Sequence, residues 1–104
     1  MLAGVKRVLV TGAASGIGAA CAHTLADDGW DVVRADLQEG PSVRPLDVTD
    51  EAAWEALMAE LGPLDGLVTS AGIRTRGMIV DTSLADWERH LRVNVTGTWL
   101  AIRA

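Results

Sequence analysis

Short apolar runs alternate with longer stretches in which apolar residues recur every three or four positions. Val8-Leu9-Val10, bounded by Lys6-Arg7 and Gly12, has the unbroken apolar character of a strand buried on both faces, as in a parallel sheet. After a glycine-rich stretch, Ile17, Cys21, Thr24 and Leu25 fall at helical spacing with Ala20 beside them, which predicts a core-facing stripe. Asp27 and Asp28 mark the solvated end of that helix, and Gly29 stops it. Asp31–Asp36, around Val32-Val33, predicts a second strand, and Gln38-Glu39-Gly40-Pro41-Ser42 a turn. Val43–Leu46 predicts a third strand, with Pro45 counting against it. Thr49 or Asp50 then caps a helix whose Trp54, Leu57, Met58 and Leu61 share one face, and Gly62-Pro63 ends it. Leu67-Val68-Thr69 predicts a fourth strand, and Ile73–Asp81 a polar loop. Ser83-Leu84-Ala85-Asp86 has capping-box spacing and opens a last helix. Its apolar stripe runs through Trp87, Leu91, Val95, Trp99 and Ile102, and no stop signal follows.

Strands alternating with helices across short loops predict an α/β fold built on a parallel sheet. Right-handed crossovers place the first strand centrally. No internal repeat, linker or low-complexity segment interrupts the pattern.

Composition narrows the function classes. A length of 104 residues argues for one domain, and a hydrophobic fraction of 49% for a real core. A net charge of −5 without a basic cluster argues against nucleic acid or an anionic membrane as the main partner. No apolar run has the length of a transmembrane helix, and Met1–Arg7 lacks the order of a signal peptide. The single cysteine, Cys21, suits a reducing compartment, so the expected location is the cytoplasm. Cys21 lies on the predicted core stripe and reads as a small buried hydrophobe. His23 and His90 have no partners at metal-ligand spacing, so no metal site is expected. Trp54, Trp87 and Trp99 fall on apolar helix faces and read as core or interface residues.

The candidate chemistry is at Thr11-Gly12-Ala13-Ala14-Ser15-Gly16-Ile17-Gly18, between the first strand and first helix. Glycines there let backbone N–H groups approach an anion, and the helix N-terminus adds further donors and a positive dipole end. Asp36 ends the second strand 18 residues after Gly18, about where a dinucleotide fold places an acid for the adenosine ribose hydroxyls. A carboxylate there repels a 2′-phosphate, which favours NAD over NADP. Arg34 shares a strand face with Asp36 and reads as a sheet-edge charge. Arg74 and Arg76 read as solvated charges on the loop near the cleft. No Gly-Lys-Ser/Thr follows the glycines, which disfavours a P-loop nucleotidase.

These features together resemble the short-chain dehydrogenases/reductases. The glycine stretch is similar to that family's T-G-x-x-x-G-x-G motif, Asp36 to its NAD-selecting acid, and Asp47-Val48 to the pair that contacts the adenine ring. Ser70-Ala71-Gly72 stands where the family usually has Asn-Ala-Gly, and Asn94 resembles the helix asparagine of its catalytic tetrad. The resemblance implies a Rossmann-type parallel sheet with flanking helices, ending here after the fourth strand and its following helix. It implies NAD as cofactor, held by Gly12, Ser15, Gly16, Ile17, Gly18, Asp36, Leu37, Asp47, Val48, Ser70, Ala71, Gly72 and Val93, with Asn94 as the catalytic residue.

The family's catalytic Ser and Tyr-x-x-x-Lys lie further along than this chain reaches. The chain has no tyrosine, and its one lysine, Lys6, precedes the first strand. It is therefore expected to be the N-terminal half of an enzyme acting on a small-molecule alcohol or carbonyl, and inactive by itself. The resemblance also implies a homo-oligomer, since the last helix takes part in subunit pairing in the family. Two other readings remain open: a non-catalytic module holding NAD or its adenosine part, and an interaction fragment with an open strand edge and an apolar helix face.

Overall fold

The computed structural model describes residues 4–104. Four parallel strands, β1 (Arg7–Thr11), β2 (Asp31–Asp36), β3 (Val43–Pro45) and β4 (Gly66–Thr69), form one sheet in the order β3-β2-β1-β4. The first strand is interior, as the crossover rule requires. β2 is interior too, so Arg34 is not the sheet-edge charge the sequence suggested: it lies between Val10 of β1 and Val43 of β3. The helices are α1 (Gly16–Asp27), α2 (Glu51–Leu61), α3 (Leu84–Leu91) and α4 (Gly97–Arg103). A π-helical segment, Arg92–Thr96, joins the last two without a break, and a short 3-10 turn, Ile79–Asp81, lies within the loop after β4.

Alternation along the strands divides the core in two. Leu9 points to one face, where it packs with Ala35, Leu46, Trp54, Leu57, Leu100 and Ala101. Val8 and Val10 point to the other, against Ala13 and Ala22. Both faces are thus covered, which explains why the strands read as continuous apolar runs. Trp30 packs into the second cluster, with its ring beside Gly66.

Capping follows the sequence closely. Asp50, rather than Thr49, caps α2 by accepting from the Ala53 N–H, and Ser83 caps α3 by accepting from the Asp86 N–H. Past α1, Gly29 donates to the Ala26 carbonyl and Trp30 to the Leu25 carbonyl, closing the helix end at a positive φ of 91°. Gly62, at φ 73°, ends α2.

The predicted face of α1 needs correction. Of the predicted stripe, Leu25 packs partly buried against the smaller cluster and Cys21 is half-buried, but Thr24 and Ala20 are exposed and Ile17 is 78% exposed; the fully buried residues are Gly18 and Ala22. The helix rests on the loop below it through its smallest side chains, which hydropathy cannot distinguish from surface. A Cβ on Gly18 would stand 2.1 Å from the Gly12 carbonyl oxygen, so a closer, glycine-lined face turns inward and Ile17 turns out. Trp87 and Trp99 are likewise not core residues, being 54% and 55% exposed, whereas Trp54 is 1% exposed.

Candidate cofactor cleft

The chain runs from β1 outward to β2 and β3, then returns to place β4 on the other side of β1. Loops leaving β1 and β4 therefore diverge to opposite sides, and ligands of open α/β sheets bind in the crevice this opens at the carboxyl ends of the strands. A cleft of about 610 Å³ lies at that end. Its wall takes Gly12, Ser15 and Ile17 from the β1–α1 loop and helix start, and Asp36, Leu37 and Gln38 from the end of β2. Leu46, Asp47 and Val48 follow β3, Ser70–Ile73 follow β4, and Val93 comes from the π-helical segment. Of the residues predicted to hold a cofactor, Gly16 and Gly18 fall outside this wall.

The glycines act in different ways. Gly12 has φ 65°, and a Cβ on it would meet the Ala71 nitrogen and Ser70 carbonyl carbon at 2.7 Å. The loop can lie on the β4 exit only because that atom is missing. Gly18 faces the Gly12 carbonyl, so its place is behind the wall. Gly16, at φ 59°, stands exposed at the first position of α1. Ser15 is the N-cap of α1, yet its side chain makes no capping hydrogen bond, and no acidic residue occupies the first turn. The Ser15 side chain thus caps none of the first-turn amides and the turn carries no acid of its own, which suits a phosphate at this helix start.

Asp36 is half-buried, and its two oxygens are used separately. Oδ2 accepts from the Ala14 N–H at 2.9 Å, and Oδ1 from the Gln38 N–H at 2.8 Å. Each oxygen keeps acceptor capacity for a further donor, such as a ribose hydroxyl. Asp47 is exposed, and its Oδ1 accepts from both the Thr49 hydroxyl at 2.7 Å and the Thr49 N–H at 2.9 Å. Those two bonds, with a smaller contribution from the Arg92 guanidinium, hold its carboxyl below the ordinary aspartate range against a slight opposing effect of burial.

Thr11, buried at the end of β1, accepts at Oγ1 from the Ser70 N–H at 3.2 Å and the Ala71 N–H at 3.3 Å. It ties the β4 exit to the glycine loop, a role its place at the head of the motif does not disclose. Asn94 has a matching task on the other side. Its Oδ1 accepts from the Ile73 N–H at 2.8 Å and its Nδ2 donates to the Ile73 carbonyl at 2.9 Å, so both ends of the amide are held by one residue's backbone. The π-helical segment carries Asn94 to that position while Val93 reaches the cleft wall. π-turns of this kind frequently occur at functional sites. Gln38, Leu46 and Ile73 are wall residues the sequence did not single out; each adjoins a predicted one, and proximity in the chain is the only signal available.

Further along, Thr75 donates to Asp86 Oδ2 at 3.1 Å, and the His90 ring nitrogen Nδ1 lies 2.7 Å from the Asp86 carbonyl oxygen. Loop 73–81 is thereby fastened to α3 as well as to Asn94. His23 is exposed, 3.3 Å from Asp27. Arg74 and Arg76 are exposed. Among the described residues no cluster of His, Cys, Asp or Glu is placed to hold a metal, and no helix is long and apolar enough to cross a membrane.

Known proteins resemble this chain in sequence and in fold. Residues 6–104 match the family described as short chain dehydrogenase. Trans-4-hydroxycyclohexanecarboxylate dehydrogenase of Sinomonas cyclohexanicum is 36% identical over 124 residues, covering 95% of this chain and 48% of that protein. The 3-alpha-(or 20-beta)-hydroxysteroid dehydrogenase of Mycobacterium bovis is 38% identical over 115 residues, covering 95% of this chain and 44% of that protein. The solved structure of ligand-free aldohexose dehydrogenase from Thermoplasma acidophilum superposes with a TM-score of 0.84 at 33% identity, over 95% of this chain and 42% of that one. The chain spans a little under half the length of each of these proteins.

Proposed function

This chain belongs to the short-chain dehydrogenase family, and from that premise we propose that it is the NAD-binding part of an enzyme oxidising an alcohol or reducing a carbonyl. The observation that carries the reading is the convergence on one cleft of a helix start without a side-chain cap, a carboxylate with spare acceptor capacity and the apolar wall residues Leu37, Leu46, Val48 and Val93. The amides around Gly12, Ser15, Gly16, Ile17 and Gly18 suit a pyrophosphate, and Asp36 the adenosine ribose. Leu37, Asp47 and Val48 form the adenine side; Ser70, Ala71, Gly72 and Val93 line the way toward the reacting end. The bound nicotinamide supplies hydride transfer, and the protein supplies position and proton handling.

Asn94 is assigned to the proton relay. Ile73 fixes its amide at both ends, and the remaining Oδ1 lone pair and second Nδ2 hydrogen are what would meet a relay water. The polypeptide of 104 residues has no tyrosine to serve as the substrate acid, so it binds without turning over. The reading also places it in the cytoplasm, in a homo-oligomer, with the apolar stripe of α3 and α4 covered by a second subunit.

Calorimetric titration with NAD and NADP tests the cofactor reading. Saturable binding of NAD, with NADP at least about tenfold weaker because of Asp36, is the expected result. Equal affinities would remove Asp36 from the role given to it, and NAD-dependent turnover by the purified chain would refute its inactivity.

A further inference from the structure

Val48 is held from two directions by residues that do not line the cleft. Its carbonyl oxygen accepts from the Trp54 indole Nε1–H at 3.0 Å. Trp54 is 1% exposed and belongs to the larger core cluster, so its N–H has to find a partner inside the protein. That partner is a loop carbonyl on the cleft wall. From the side, Val48 abuts Gly97, the first residue of α4 and itself buried. A Cβ on Gly97 would stand 2.7 Å from Val48 Cγ2 and 3.2 Å from its Cβ. Gly97 directly follows the π-helical segment that brings Val93 and Asn94 to the site. The loop is also closed on itself, the Asp50 N–H donating to the Asp47 carbonyl at 3.0 Å. Backbone and side chain of Val48 are therefore both fixed, one by the α2 core and the other by the helix that carries Asn94.

We infer that Trp54 and Gly97 are positioning residues that set where Val48 stands, and thereby how strongly the cleft distinguishes one purine from another. The inference rests on the proposed placement of adenine against Asp47-Val48. Removing the indole N–H frees the Val48 carbonyl to turn, and a methyl at Gly97 displaces the valine side chain it would overlap. Either change blurs the surface the base meets without touching the base.

The test titrates the chain with NAD and with its hypoxanthine analogue, which differs at the purine 6-position. The parent is expected to prefer NAD. Trp54→Phe keeps an aromatic ring in the core but loses the donor; it is expected to weaken NAD binding by up to about fivefold, the ceiling set by the one internal hydrogen bond that fixes the loop, and to bring the two affinities together. Gly97→Ala is expected to act in the same direction. Val8→Ala opens a cavity in the cluster on the other face of the sheet, and is expected to lower the melting temperature while keeping the parent's preference. In the parent, the Trp54 indole N–H resonance is expected to shift on saturation with NAD. Trp54→Phe retaining both affinity and preference would overturn the inference. So would Val8→Ala losing the preference equally, or a Trp54 resonance that stays in place at saturation. A parent that binds neither nucleotide would remove the cofactor reading itself, and this inference with it.

Discussion

Asp36 shows how one side chain serves both fold and site. Its carboxylate spans from the glycine loop, at Ala14, to the turn after β2, at Gln38. Asp36→Ala is expected to loosen both and to lower NAD affinity at least about tenfold, since hydrogen bonds to a charged group are worth more than neutral ones; calorimetry on the variant checks it. The acid's place on the cleft wall was legible from its spacing after Gly18. Its contacts were not, because backbone donors leave no mark on residue type. Asp47 carries a pH dependence. A carboxyl whose pKa is lowered on folding contributes stability that is present above the ordinary aspartate value of about 3.9 and is lost as pH falls through its lower folded value. Asp47→Asn is therefore expected to melt below the parent at pH 7, with the gap closing as pH falls beneath about 4. Melting curves across that range decide it, and a gap that stays constant would mean that Asp47 contributes nothing through its charge.

At the scale of elements, periodicity located the four strands and the three main helical stretches, but not the short 3-10 turn at Ile79–Asp81, nor always the face that turns inward. α1 was misread because it packs through Gly18 and Ala22, and a glycine that permits close approach has no hydropathy to report. Gly18→Ala is expected to cost at least about 2 kcal/mol, as inserted methyls in tight packing do, measured by urea unfolding. The last helix was legible in extent but not in form: nothing in Arg92–Thr96 announces a π-turn, which here seats Asn94 against Ile73 and Gly97 against Val48. Its stripe was read correctly as apolar, and Trp87, Leu91, Val95, Trp99 and Ile102 all stand exposed. An apolar surface of that continuity favours association. Trp99→Glu together with Val95→Lys is expected to shift the chain toward monomer in sedimentation at several concentrations. A parent that is monomeric throughout would remove the oligomer reading.

For the whole molecule, the decisive feature is the change of direction at β1. Parallel strands put the loops after β1, β2, β3 and β4 at one end of the sheet, and the reversal at β1 opens a crevice there that gathers positions as distant as Gly12 and Val93. That gathering was legible once strand order was granted, because the crossover rule makes β1 interior. The ties that hold it, Thr11 to Ser70 and Ala71, and Asn94 to Ile73, pair side chains with backbone across more than one element and belong to the fold rather than to any local pattern. The central claim is that this one end of the sheet holds NAD. Amide resonances of the labelled chain, followed by NMR during titration with NAD, test it most directly. The account predicts saturable shifts confined to the amides of the glycine loop, Asp36 to Gln38, Asp47 to Thr49, Ser70 to Ile73 and Val93, and to the Trp54 indole N–H. Shifts at the opposite end of the sheet, or none at millimolar NAD, would contradict it.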